Sequence, residues 1–256
     1  MILRKWEQLP EFMQTPEVAQ YYEILQRKKA SLVFKRLFDI VVSLAMILVL
    51  SPIFLILAIA IKTTSKGPVF FRQTRVTRYG EHFRIYKFRT MVQDAEKIGL
   101  QVTAKNDSRI TKVGKIIRKC RLDEISQLLN VLDGSMTFVG TRPEVPKYVE
   151  KYTREMMATL LLPAGITSNA SILFRDEDKI LENAEDMEKA YIEEVLPPKM
   201  RYNLEAIKQL SFWGDIAIMF KTFATVAFKR NDAQPNQATD NEGKNESADV
   251  KYEKVH

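Results

Sequence analysis

Cysteine and histidine are almost missing from this chain: among 256 residues stand one cysteine, Cys120, and two histidines, His82 and His256. No intramolecular disulfide can form, and neither a zinc site of His and Cys ligands nor a Cys-His nucleophile pair can be assembled. The lone thiol fits a reducing, cytosol-facing location. Glycine is scarce too, and its nine copies never fall into GxGxxG or GxxxxGKS/T, so a dinucleotide-binding fingerprint and a P-loop are both absent. Any phosphate must therefore be gripped by side chains, helix ends or a metal. No internal repeat is visible, and the low Gly and Pro counts exclude a collagen-like or low-complexity architecture. Large apolar residues are nearly lacking over residues 231–256, where six Asp and Glu face three Lys. That acidic tail reads as disordered.

What is present is positive charge and one long apolar run. Lys and Arg number 39 against 32 Asp and Glu, a net +7 that becomes +10 once the tail is set aside. An anionic partner follows: nucleic acid, nucleotide phosphates or an acidic membrane surface. Residues 40–61 carry no charge over 22 positions, long enough for a membrane helix. The run starts far from the N-terminus and is too long for the apolar region of a signal peptide. Two features argue against an ordinary span. Pro52, in its middle, has no N–H and would bend a straight helix at a cost of roughly 3 kcal/mol. The flanks are evenly basic, with Arg27, Lys28, Lys29, Lys35 and Arg36 before and Lys62, Lys66, Arg72, Arg75 and Arg78 after, so no Lys/Arg imbalance sets an orientation. The arms 37–50 and 53–61 reach only about 14–21 Å each, short of a core of about 30 Å. A helix that breaks at Ser51-Pro52 and returns to the same face fits these facts. So does a kinked span in which a Ser hydroxyl satisfies the freed carbonyl.

The chain is expected to be α+β and mostly helical. Residues 1–33 form an extension with a short helix after Thr15-Pro16, expected on the membrane surface; 34–61 the membrane segment; 62–230 the main domain, with a C-terminal helical part; 231–256 the tail. VFFRQTRV and HFRIYKFRT, separated by Tyr79-Gly80, predict a hairpin carrying Arg72, Arg75, Arg84, Lys87 and Arg89. Asp107 or Ser108 can cap a basic amphipathic helix running to Cys120. A second helix should run from Asp123 to just before Gly134, one face polar with Glu124, Gln127 and Asn130. MTFVG reads as a strand, EVPKYVEKYTREMMATLLL as a helix, and most of the rest as helical. In the last helix Leu210, Phe212, Trp213, Ile216, Met219, Phe220, Phe223 and Val226, with Lys221, Lys229 and Arg230, suit either a headgroup position or, more plainly, a buried core.

The arginine surplus suits phosphate, since a guanidinium fork binds it bidentately. Arg118, Lys87, Arg89 and Arg142 are candidates, and Asp123-Glu124, five residues after Arg118, can supply a phosphoryl nucleophile or hold Mg²⁺, although Asp at a helix start is also an ordinary cap.

From Phe34 to about Gly165 the chain resembles the bacterial sugar transferase family, the monotopic phosphoglycosyl transferases. The resemblance is carried in order by FKRLFDIVVSLAMILVLSPIF, GPVFFRQTRV, FRIYKFRTM, RITKVGKIIRKCRLDEISQLLNVLDGSMTFVGTRPE and the segment PAGIT. It implies a re-entrant membrane helix broken at Ser-Pro, both ends on the cytoplasmic side of the bacterial inner membrane, and a cytoplasmic domain with membrane-surface amphipathic helices. It also implies transfer of a phosphosugar from a UDP-sugar to undecaprenyl phosphate, beginning glycan or exopolysaccharide assembly. Asp123 would match the nucleophile, holding a covalent phosphosugar after UMP leaves. Glu124 would help hold Mg²⁺ or the acceptor, and Arg118, Lys87, Arg89 and Arg142 would match the phosphate and nucleotide contacts. The chain departs from the family pattern at Ile125-Ser126, Ser135 and Thr141 and in Pro163-Ala164-Gly165. A membrane-tethered adaptor is the rival reading. Nucleic-acid binding makes poor use of the apolar run and is not expected, and a homo-oligomer is compatible with everything here.

Overall fold

The computed structural model describes residues 1–93, 95, 107–174 and 186–227. The acidic tail, Lys229 and Arg230, and most of the acidic run before Met187 lie outside them. Thr15 opens the first helix, α1 (Pro16–Arg27), as its pattern predicts: the hydroxyl accepts the Val18 N–H and Pro16 sits at the first helical position, where a missing N–H costs nothing. Val18, Tyr21 and Leu25 recur on one face and are buried, packed with Leu160, Leu161 and Leu204. The apolar face of this helix is therefore spent on the protein core and not on lipid.

The apolar run lies in one continuous helix, α2 (Lys29–Thr64), of 36 residues with Pro52 inside it. At 1.5 Å per residue it is about 54 Å long. Helical hydrogen bonding passes through the expected break because Ser51 Oγ donates to the Leu48 carbonyl at 2.8 Å, the acceptor that Pro52 leaves without an N–H. One stripe of α2 faces the rest of the protein along its whole length: Leu32, Lys35, Asp39 and Ser43 are buried, Val42, Ile47, Leu50 and Phe54 are packed at its middle, and Leu57 and Ile61 are buried again. The opposite side exposes Leu48, Val49, Leu55 and Ile56. The docking is polar at the N-terminal end. Lys35 Nζ donates to the Val139 carbonyl at 2.8 Å and pairs with Asp215, and Asp39 accepts from Thr137 Oγ1 at 2.7 Å.

Two strands, β1 (Phe70–Val76) and β2 (His82–Phe88), form the predicted antiparallel hairpin, Phe70 opposite Phe88 and Val76 opposite His82. Between them Tyr79 and Gly80 take positive φ, 59° and 75°. The basic helix α3 (Lys112–Lys119) is capped by Thr111, whose Oγ1 accepts the Gly114 N–H at 2.9 Å. Asp107 and Ser108 do not cap it, because Ile110 is held in a bridge to Met91 before the helix begins. Gly114 is required: a Cβ there would stand 1.9 Å from the Thr90 carbonyl oxygen.

A 3₁₀ turn, Leu122–Gln127, leads into α4 (Leu128–Asp133), so the expected helix from Asp123 is tighter in its first half. Its polar side is buried against β2, where Asn130 Oδ1 accepts the Tyr86 N–H at 2.8 Å and seals the hairpin edge. Arg36 of α2 donates to the carbonyls of Val131 and Leu132, satisfying the end of α4. Strands β3 (Met136–Val139) and β4 (Ala164–Thr167) pair in parallel. The long helix predicted between them is instead a turn, Pro146–Val149, and a 3₁₀ segment, Met156–Leu161. The hydroxyl of Thr153 accepts the Met156 N–H, and Tyr152 is drawn into the core between the two pieces. Helices α5 (Leu196–Lys208) and α6 (Phe212–Ala227) complete the described chain. No described side chain of α6 is fully buried, and Trp213, Phe220 and Phe223 are 77%, 71% and 68% exposed. The core position expected for most of that helix is not the observed one.

Candidate active site

Three backbone elements bring the sequence candidates together. Lys87 projects from the end of β2, Asp123 and Glu124 from the 3₁₀ turn, and Arg142 from the loop after β3. The loop is braced by main-chain bonds: Gly140 N–H to the Thr167 carbonyl at 2.9 Å and Gly165 N–H to the Thr141 carbonyl at 2.8 Å. A Cβ on Gly165 would lie 2.2 Å from the Gly140 nitrogen, so only glycine lets β4 approach this closely.

Glu124 is the hub. Its Oε1 accepts from Lys87 Nζ at 3.0 Å and from Arg142 at 2.9 Å. Burial alone would push its carboxyl up, but the charges of Arg142 and Lys87 outweigh that and hold it well below the usual carboxylate range. Asp123, its neighbour, has no ion pair among the described residues. Burial raises its pKa and the negative charge of Glu124 raises it further, with Lys87 and Arg118 opposing. Of the two adjacent carboxylates, Glu124 is held by two cations, and Asp123, its pKa raised, has the character a nucleophile needs. Burial lowers the pKa of Lys87, against the pull of Glu124.

Two of the predicted contacts stand apart from this hub. Arg118 Nε donates to Thr90 Oγ1 at 2.8 Å, which aims it from α3 within electrostatic reach of Asp123. Arg89 is buried and turned to the end of α2, donating to the carbonyls of Ser65 and Lys66 at 2.8 and 2.7 Å. Its contacts here are those of a helix cap.

A cavity of about 600 Å³ opens beside Glu124. Its walls are mainly apolar, with Ile125, Leu128, Phe138 and Ile166 on the inner side and Met46 of α2 with Met219 and Phe223 of α6 on the outer side. Arg121, Arg142, Lys199 and several hydroxyls supply its polar lining. Sequence reasoning missed Arg121 and Lys199. The first lies in a basic run two residues before the dyad, where it could have been noticed; the second has no local signal. Lys199 is buried, 3.2 Å from the Tyr191 hydroxyl and 3.8 Å from Glu144.

Among the described residues no group of three or more His, Cys, Asp or Glu is poised for a metal. Two neighbouring carboxylates do suit Mg²⁺, which commonly takes one or two protein carboxylates and completes its shell with water and substrate phosphates.

A sequence model of the bacterial sugar transferase family matches residues 30–229. The chain is 41% identical over 198 residues to a UDP-glucose:undecaprenyl-phosphate glucose-1-phosphate transferase of Klebsiella pneumoniae, covering 75% of this chain and 40% of that protein. It is 38% identical over 195 residues to a UDP-N-acetylgalactosamine-undecaprenyl-phosphate N-acetylgalactosaminephosphotransferase of Aeromonas hydrophila, covering 75% and 43%. An undecaprenyl-phosphate galactose phosphotransferase of Salmonella typhimurium is 34% identical over 221 residues, covering 80% and 43%. The chain thus spans less than half the length of these curated relatives.

Proposed function

The chain belongs to the bacterial sugar transferase family, and from that premise we propose that it moves a phosphosugar from a UDP-sugar to undecaprenyl phosphate at the cytoplasmic face of the bacterial inner membrane. In the first step an Asp123 carboxylate oxygen attacks the phosphorus bearing the sugar. The bond from that phosphorus to the bridging oxygen breaks, and UMP leaves with the bonding pair. In the second step an oxygen of the lipid phosphate attacks the same phosphorus and releases the Asp123 carboxylate. Glu124, fixed by Lys87 and Arg142, holds those two cations at the nucleophile's side. Arg118 and Arg142 bear on the donor's phosphates. Mg²⁺, held by Asp123 and Glu124, would supply further neutralisation of the diphosphate charge.

The observation that carries this reading is the asymmetry of the dyad: an unpaired, more basic Asp123 beside a Glu124 pinned by two cations. The helix geometry supports the membrane half. Residues towards both ends of α2, Lys35 and Asp39 before the apolar run and Leu57 and Ile61 at its C-terminal end, touch the same domain. A helix crossing a bilayer would leave that domain behind at one end, so these contacts support a helix that dips in and keeps both ends on the cytoplasmic side. The exposed Trp213, Phe220 and Phe223 of α6 suit a helix lying at the headgroup level.

The test uses purified protein with UDP-sugars and Mg²⁺. UMP release and a mass increase of one phosphosugar are expected, and both should vanish in Asp123→Asn. Full turnover by Asp123→Asn would remove the covalent mechanism, and lipid binding with no nucleotide turnover by the unaltered protein would favour the adaptor.

A further inference from the structure

Arg121 is one of two non-glycine residues at positive φ among the described residues, at φ 55° and ψ 25°. Such a conformation costs a side-chain-bearing residue about 1 kcal/mol or more, and glycine would relieve it. Its position makes the strain informative, because it is the residue from which the dyad's 3₁₀ turn starts. Its side chain is exposed on the cavity lining and forms no hydrogen bond or ion pair with a described residue. Arg142, across the same cavity, is committed to Glu124.

The cavity itself distinguishes between the two substrates. A UDP-sugar is polar throughout, whereas these walls are mostly apolar and reach Met46 on the membrane helix and Phe223 on α6. We propose that this cavity seats the first isoprene units of the lipid acceptor and that Arg121 anchors its phosphate. The inference rests on the two-step reading above and assigns a residue to its second step. There the acceptor's phosphate oxygen forms a bond to the phosphorus on Asp123 as the bond to the carboxylate oxygen breaks. The incoming phosphate carries its charge towards a site that already holds Glu124, and an uncommitted guanidinium two residues from the nucleophile offsets that repulsion. No proton need move in this step.

The experiment separates the half-reactions in the full chain, using a UDP-sugar that the unaltered protein turns over and a short-chain polyprenyl phosphate. The UMP burst without acceptor reports the first step; acceptor KM reports the second. Arg121→Gln should raise acceptor KM roughly tenfold to a hundredfold, the span of one lost charge-assisted hydrogen bond, and leave the burst within about twofold. Arg121→Lys should recover most of the loss. Arg121→Gly, which suits the left-handed backbone, should show the same acceptor defect as Arg121→Gln, and so separates the charge from the fold. An unchanged acceptor KM in Arg121→Gln, or a defect confined to the burst, overturns the assignment. Absence of a burst from the unaltered protein would remove the covalent intermediate instead, and the acceptor KM comparison would still decide the role of Arg121.

Discussion

Removing the charge of Lys87 and removing the charge of Glu124 should move the acid limb of the pH–rate profile in opposite directions. In the proposed first step Asp123 must be ionised to attack. Its pKa is already raised, by burial first and by Glu124 second, while Lys87 pulls it down. Lys87→Met deletes the downward pull, so the pKa climbs and the half-maximal rate is reached at higher pH. Glu124→Gln deletes an upward push, so the limb falls to lower pH, whatever happens to the maximal rate. Magnitudes follow from the geometry. The Lys87–Glu124 contact at 3.0 Å is a charge-assisted bond between mostly enclosed groups, worth roughly 1.5–3 kcal/mol. Asp123 feels Lys87 through charge alone, so its limb should move by less than a direct bond of that strength would move it. Initial UMP release, measured between roughly pH 4 and pH 8 at constant ionic strength, gives the limb for each variant. Shifts of the same sign in both variants, or no shift in Lys87→Met, would mean that Asp123 is not the group whose ionisation gates the reaction.

Two further outcomes test the framework around the site. Lys35 is buried between the Val139 carbonyl and Asp215, so Lys35→Met should cost about 3–5 kcal/mol by stranding Asp215, roughly a 6–20 °C fall in Tm. The pair change Lys35→Met with Asp215→Leu should recover more than half of it, and a single-variant loss under about 2 °C would deny that the pair anchors the helix. For topology, Ala30→Cys and Lys66→Cys, each in a Cys120→Ser background, should both be shielded from an impermeant thiol reagent in intact cells; labelling at one position only would indicate a true span.

The parts legible in the sequence were those with a local cause. The hairpin announced itself through two apolar-aromatic runs around Tyr79-Gly80, and α1 through Thr15-Pro16. Features that depend on tertiary context were not legible in the same way. The cap of α3 shifted to Thr111 because Ile110 is claimed by Met91. The helix expected before β4 is cut where Thr153 bonds the Met156 N–H. At the site, Glu124, Lys87 and Arg142 meet as their motifs suggested, but Arg89, which shares a motif with Lys87, lies one residue past the end of β2, where the strand's two-residue repeat no longer holds it on the face of Lys87, and is turned to the end of α2. Arg121 stood in view in its basic run, but its left-handed backbone did not, because nothing in its local composition calls for one, and Lys199 was illegible because it reaches the cavity from a helix more than 50 positions beyond Arg142.

The loop that presents Arg142 is fastened by N–H and carbonyl groups of Gly140, Thr141, Gly165 and Thr167, none of which depends on the side chain at position 141. That separates two properties which are usually inherited together. The side chain at 141 can change while these main-chain bonds keep the backbone that carries Arg142 in place. The side chain at 141 and the placing of Arg142 are therefore free to vary separately.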